Sequence, residues 1–236
     1  MSQFDAVIVA HGQPSAPLEA EQALADFLAK IEPHFGNLAL GAATLAAPGK
    51  LEAQLANLRN GGVIYPLFMT DGWFVRTTLA KRLGNAPVDV MTPFGMSSAL
   101  IDATAKALRN SAGFGKGPLL VVAHGSASGR IAPAQVPQEF TRQLQEALDG
   151  YPVHLGFIEQ EPLLTEVAKT APEAAMCLPF FAMEGEHVRK DVRKALDLAG
   201  FVGDVLPAIS QLPGMAELIA ESIKAKIASL EGKRAA

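Results

Sequence analysis

Hydrophobic positions in this chain form short unbroken runs that alternate with longer stripes of helical period. Residues 6–10 and 119–123 are apolar at every position and rich in valine, the pattern of a strand buried on both faces of a parallel sheet. Each run is closed by His-Gly, at His11-Gly12 and His124-Gly125, and each is followed by a polar, proline-containing loop. Stripes with apolar residues three and four apart then predict helices over 18–31 and 138–148. The same reading predicts strands at 38–45 and 153–158, helices at 51–59 and 163–170, and strands at 62–68 and 175–181. Near the end, Leu218, Ile219, Ile223 and Ile227 mark an amphipathic helix over 215–230, with Lys233-Arg234 beyond it expected to fray. Helices alternating with buried strands imply βαβ units and parallel sheets, an α/β fold.

The pattern repeats. Val7-Ile8-Val9-Ala10-His11-Gly12 returns as Leu120-Val121-Val122-Ala123-His124-Gly125. Tyr65-Pro66-Leu67-Phe68-x-x-x-Gly72-x-Phe74-Val75-Arg76 returns as Leu178-Pro179-Phe180-Phe181-x-x-x-Gly185-x-His187-Val188-Arg189. Both echoes keep one spacing of 113 residues (11 to 124, 74 to 187), which points to two tandem copies of one structural unit related by a pseudo-twofold repeat. Residues 111–118 are dense in glycine between periodic segments and read as the linker, so the expected domains are 1–112 and 118–236. Gly113-x-Gly115-x-Gly117 is not a phosphate loop, because it precedes a strand instead of following one and opening a helix.

Composition narrows the class. The 236 residues, 49% of them hydrophobic, suffice for two modest cores. A formal charge of −4 with cations and anions interspersed lacks the broad positive field of nucleic-acid binding. The N-terminus has no basic and apolar leader, and no run approaches the ~20 apolar residues that span a bilayer. The expectation is a soluble cytoplasmic protein, monomer or homodimer, with no nucleic-acid or membrane partner. Cys177 lies between Met176 and Leu178 and reads as a packed strand residue, not a metal or redox group.

Ligands of open parallel sheets sit beyond the carboxyl ends of the strands, and the second half places three metal-competent residues at such ends: His124, Glu159 and His187. Two imidazoles and a carboxylate suit divalent first-row ions and leave coordination positions open. The first half is an internal control, with Ala46 at the position of Glu159 and Phe74 at that of His187; only His11 remains. The metal site is therefore expected in the second half. Glu161 ranks behind Glu159 as a carboxylate ligand, Glu184 and Glu186 flank the His187 loop, and His34 and His154 read as solvated.

The blocks Val121-Val-Ala-His-Gly-Ser126, Phe157-Ile-Glu159-x-x-Pro162 and Leu178-Pro-Phe-Phe181-x-x-x-Gly185-x-His187-Val188 resemble the signature blocks of the class II tetrapyrrole chelatases, the sirohydrochlorin cobalto- and ferrochelatases, in a double-length form. The resemblance implies two tandem chelatase-like domains of flavodoxin or Rossmann-like architecture. It implies insertion of a divalent metal substrate, Co2+ first with Fe2+ or Ni2+ as alternatives, into a sirohydrochlorin-like tetrapyrrole, without ATP or nucleotide. The family's two histidines and glutamate fall on His124, His187 and Glu159.

Neutral imidazole binds the ion, and a base near neutrality removes pyrrole protons. The macrocycle's carboxylates call for cations, for which Arg189, Lys190, Arg193, Arg130 and Arg76 are candidates. Trp73, Phe74 and Phe68, with His11, offer an apolar platform. A histidine phosphoryl-transfer enzyme is disfavoured because Ala10 and Ala123 stand where that chemistry has arginine, and Gly95-Met-Ser97-Ser98-Ala99 lacks a glycine of the hydrolase elbow. The remaining alternative is a noncatalytic metal or tetrapyrrole carrier using the same site.

Overall fold

The first apolar run forms β1 (Phe4–Ala10), with residues 6–10 all buried. The computed structural model describes residues 3–126, 132–185 and 187–235, with backbone alone at 132, 133, 187, 188, 234 and 235. The chain continues through α1 (Pro17–Ile31), β2 (Leu40–Thr44), α2 (Lys50–Ala56) and β3 (Leu58–Leu67). A π-helical turn, Phe74–Leu79, runs into α3 (Ala80–Leu83), followed by β4 (Asp89–Val90) and α4 (Ala99–Arg109). The second series is β5 (Leu119–Ala123), α5 (Ala132–Ala147), β6 (Val153–Phe157), α6 (Leu164–Lys169) and β7 (Met176–Pro179). A second π-helical turn, His187–Val192, leads into α7 (Arg193–Ala199), then β8 (Asp204–Val205) and α8 (Met215–Ala235).

Among the described residues these strands form two four-stranded parallel sheets, ordered β2-β1-β3-β4 and β6-β5-β7-β8. In each, the chain leaves the central strand for one neighbour and returns to the other side. The switch point, where such sheets open a crevice for ligand, lies between β1 and β3 and between β5 and β7. The registers match at the sequence spacing: Ala6 pairs with Leu40 and Val63, and Leu119 pairs with Val153 and Met176, each 113 residues on. Val7, Val9, Leu51, Ile64 and Leu79 bury one face of the first sheet, and Leu120, Val122, Leu164, Cys177 and Val192 the same face of the second.

The chain groups as two compact units, Met1–Ser97 with Ala216–Ala236, and Ser98–Met215. This differs from a division at 1–112 and 118–236, because a helix belongs to the sheet against which its apolar face is buried, whichever side of a linker it lies on. Thus α4 is held in the second unit, where Arg109 donates to the Ala147 carbonyl and pairs with Asp149 at 3.0 Å. In the first unit α8 buries Ile219, Ile223 and Ile227 and pairs Lys226 with Asp89 at 2.7 Å and Glu231 with Arg59 at 3.1 Å.

Several element boundaries move. The helix expected to reach residue 59 ends at Ala56, since Leu58 is taken into β3 opposite Phe4. The partner then slips from Leu58 to Val63 as β1 advances from Phe4 to Ala6, a bulge that absorbs Asn60-Gly61-Gly62. Helix α5 starts six residues before the expected 138, with Pro137 inside it; the proline has no N–H to give to the carbonyl one turn back, so one bond of the helical ladder is missing there. Helix α8 runs to Ala235 instead of ending at 230, so Lys233-Arg234 is taken into it. Among the described residues no helix is long and apolar enough to cross a membrane.

Cys177 is fully buried in β7, and burial pushes its thiol up to about 12. Thiolate is the reactive form, so iodoacetamide at pH 8 is expected to leave the native protein unmodified and to alkylate it fully in denaturant. Alkylation of the native protein, followed by mass spectrometry, would contradict the placement of β7 at the centre of its core.

A candidate metal and tetrapyrrole site

Both His-Gly pairs occupy one backbone device. Gly12 and Gly125 have φ of +72° and +78°, a left-handed conformation open to glycine. A Cβ at Gly12 would lie 2.6 Å from the Thr44 Cβ, and one at Gly125 would lie 2.7 Å from the Gln160 Cγ. Glycine thus lets the chain turn sharply off the central strand across the end of its neighbour, leaving the preceding histidine at the rim. Parallel pairing extends one step past the strands: the Ala46 N–H donates to the His11 carbonyl and the Glu159 N–H to the His124 carbonyl, both at 3.0 Å.

In the second unit this register sets Glu159 beside His124, with Nδ1 of the histidine 3.5 Å from Oε2 of the glutamate and both side chains partly exposed. That distance exceeds the 2.7–3.2 Å typical of an N–H···O hydrogen bond. The same Nδ1 lies 3.3 Å from the Gly125 carbonyl, the contact that His11 makes with Gly12. His187 opens the π-helical turn after β7, across the switch point from His124; its side chain lies outside the described atoms. Among the described residues no cluster of three or more His, Cys, Asp or Glu side chains forms a metal site, and His124 with Glu159 is the pair that the structure brings together.

The first unit shows what its rim holds at those positions. The His11 ring meets the Phe74 ring edge to face with centroids 4.0 Å apart, and Phe74 meets Trp73 at 5.2 Å. His11 donates from Nδ1 to the Gly12 carbonyl at 2.6 Å, because a carbonyl only accepts. Trp73 is 61% and Phe74 41% exposed, an aromatic surface able to lie against a planar ligand. Phe68 does not belong to it: it is buried in the core against Val75 and Leu79.

Other candidates separate by position. Glu161 accepts from the Leu163 N–H at 3.1 Å, a local bond in the turn before α6. Arg76, 71% exposed, pairs with Asp71 at 2.8 Å, an interaction worth roughly 0–1 kcal/mol at a surface. Arg189, Lys190 and Arg193 are exposed along the second π-helical turn and α7. Glu184, His34 and His154 are exposed. Arg130 and Glu186 lie outside the described residues. Two features had escaped the sequence reading. One is the π-helical turn at each switch point, a helix form that concentrates at functional sites. The other is Gln160, whose Oε1 accepts from the Ser126 N–H at 2.9 Å.

Both doubly wound sheets carry a histidine at the end of the central strand, and the second adds a glutamate beside it; comparison with known proteins supplies the class. A family model described as CbiX matches residues 118–228. The structure of CbiX, the terminal enzyme for biosynthesis of siroheme in denitrifying bacteria, is 37% identical, covering 93% of this chain and 98% of that one, with a TM-score of 0.78. SirB from Bacillus subtilis with Fe3+ is 15% identical, covers 98% of both chains and has a TM-score of 0.74, a likeness of fold. DR2241 from Deinococcus radiodurans, a multi-domain protein with structural similarity to chelatases, is 18% identical with a TM-score of 0.66; the match covers 94% of this chain and 54% of that one. No curated protein matches by sequence. The chain belongs to the CbiX chelatase family.

Proposed function

We propose that this protein inserts a divalent metal into a sirohydrochlorin-like tetrapyrrole at the rim of its second unit, with His124, Glu159 and His187 as the groups that hold the ion and take up the displaced protons. The observation that carries the reading is the pairing of positions at the rim. His124 and Glu159 stand 3.5 Å apart, and at the matching positions of the first unit residue 74 touches the His11 ring at 4.0 Å. A scaffold that sets 74 against 11 supports contact of 187 with 124. The shared registers and π-helical turns also support descent of both halves from one duplicated domain.

Insertion exchanges two pyrrole protons for one dication. His124 and His187 bind as neutral imidazoles through nitrogen lone pairs, and Glu159 offsets part of the ionic charge. Three oxygen and nitrogen ligands leave positions for the macrocycle nitrogens to enter stepwise. As each nitrogen replaces a protein ligand, the released imidazole or carboxylate becomes a base for a departing proton. A closed thiolate site would retain the ion, and Cys177 is buried away from solvent. Arg189, Lys190 and Arg193 are the cations proposed to meet the macrocycle's carboxylates.

Of the metals, Co2+ was the first expectation from the resemblance. The 37% identical relative is described as an enzyme of siroheme biosynthesis, and siroheme is an iron complex, so Fe2+ is the metal we propose here. Anaerobic incubation with sirohydrochlorin and either Fe2+ or Co2+, followed by visible spectroscopy, is expected to give metal insertion faster than the protein-free background. Binding of metal and macrocycle without acceleration would assign the protein as a carrier and sink the enzymatic reading.

A further inference from the structure

We infer that Gln160 is a positioning residue for metal uptake, the side chain that clamps the His124 turn to the Glu159 strand end; the inference rests on the proposed chelatase site and deepens it. Gln160 follows Glu159 directly and is half-buried at the rim. Its Oε1 accepts from the Ser126 N–H at 2.9 Å, and its Cγ lies against Gly125, where an added Cβ would approach it to 2.7 Å. The contact therefore spans the two loops that carry the candidate ligands. One main-chain bond, from the Glu159 N–H to the His124 carbonyl at 3.0 Å, ties those loops at their base. The Gln160 bond ties them again, two residues past His124 and one past Glu159. Two successive ties between the loops limit how far the His124 and Glu159 donors can part.

The first unit supports a role connected with metal and not with folding alone. It keeps the main-chain tie, from the Ala46 N–H to the His11 carbonyl at 3.0 Å, and the left-handed glycine. At the position of Gln160 it has Ala47, which is buried. Its turn lies against Thr44 and Ala46, both within 3 Å of a Cβ at Gly12. The fold is thus built there without the amide clamp, in the unit that lacks the glutamate and the second histidine. Groups that orient metal ligands typically change affinity or activity by roughly 10–100-fold when removed.

The test compares Co2+ binding and metal insertion in wild type, Gln160→Ala and Gln160→Glu. Glutamate keeps an oxygen that accepts from the Ser126 N–H; alanine does not. Gln160→Ala is expected to raise the Co2+ Kd, and the KM for metal, by roughly tenfold or more, with unchanged KM for the macrocycle and unchanged melting temperature. Gln160→Glu is expected to restore metal binding to about the wild-type value. Equal Co2+ affinity in wild type and Gln160→Ala overturns the inference while leaving the chelatase reading standing, as does a Glu variant that fails as badly as the Ala variant. Wild-type protein that takes up neither Co2+ nor Fe2+ overturns both.

Discussion

His187→Ala is expected to abolish metal insertion, lowering the rate by roughly 10²-fold or more, whereas His11→Ala keeps most of it. The two histidines share a rim position only in part. His187 starts the π-helical turn beyond β7, while His11 is the counterpart of His124 at the end of the other central strand. Loss of His187 removes a proposed ligand and a proton acceptor from the same reaction step. Loss of His11 removes a ring packed edge to face with Phe74, in a unit with Ala46 and Phe74 at the positions of Glu159 and His187. The measurement is the initial anaerobic insertion rate at saturating metal, with circular dichroism to show that each variant is folded. A larger loss in His11→Ala than in His187→Ala would place the reacting centre in the first unit and defeat the proposal.

Much of the architecture was legible because buried parallel strands leave a strong signal. Residues 119–123 coincide with β5, and 18–31 differs from α1 by one residue. What escaped was decided by tertiary contact. Leu58 looks like the last turn of a helix until Phe4 pairs with it across the sheet. The two-residue edge strands β4 and β8 carry too few positions to show a period. The spacing of 113 residues located the counterparts Ala46 and Phe74 before any coordinates, and the pairing of Ala46 with His11 and of Glu159 with His124 agrees with it.

The candidate residues were legible by type, since His-Gly after a buried strand and Glu after its neighbour are visible in sequence, and the structure sets that histidine and glutamate side by side. Their supporting contacts were not legible. That Glu161 turns onto the Leu163 N–H while Gln160 reaches back to Ser126 depends on how the segment after β6 folds over the rim, and two polar residues flanking a turn give no hint of which way each points. Nor does apolar character alone sort Phe68 from Phe74. The first is buried in the core and the second is at the rim, although both lie near the end of one strand. The π-helical turns separate these two environments, and their sequences have no marker comparable to a helix cap or a hairpin glycine.

If the first half differs from the second in metal chemistry chiefly through Ala46 and Phe74, restoring both should restore an ion. The double variant Ala46→Glu with Phe74→His is expected to raise the number of Co2+ ions bound per chain from one to two, measured by equilibrium dialysis followed by elemental analysis. The geometry favours it. Residue 46 already donates its N–H to the His11 carbonyl, as Glu159 does to His124, and residue 74 already lies 4.0 Å from the His11 ring. Ala46 is only partly buried and Phe74 is 41% exposed, so both new side chains can reach the rim without burying charge. Exchanging the partly exposed Phe74 forfeits some apolar contact, about 1 kcal/mol by area, too little to unfold a domain of ordinary stability. Either single variant supplies two donors, which bind a divalent ion more weakly than three, so the gain should be clear only in the pair. A folded double variant that still binds one ion would mean that the ligand types alone do not make the site, and would shift weight to the outer contacts that the first unit builds differently.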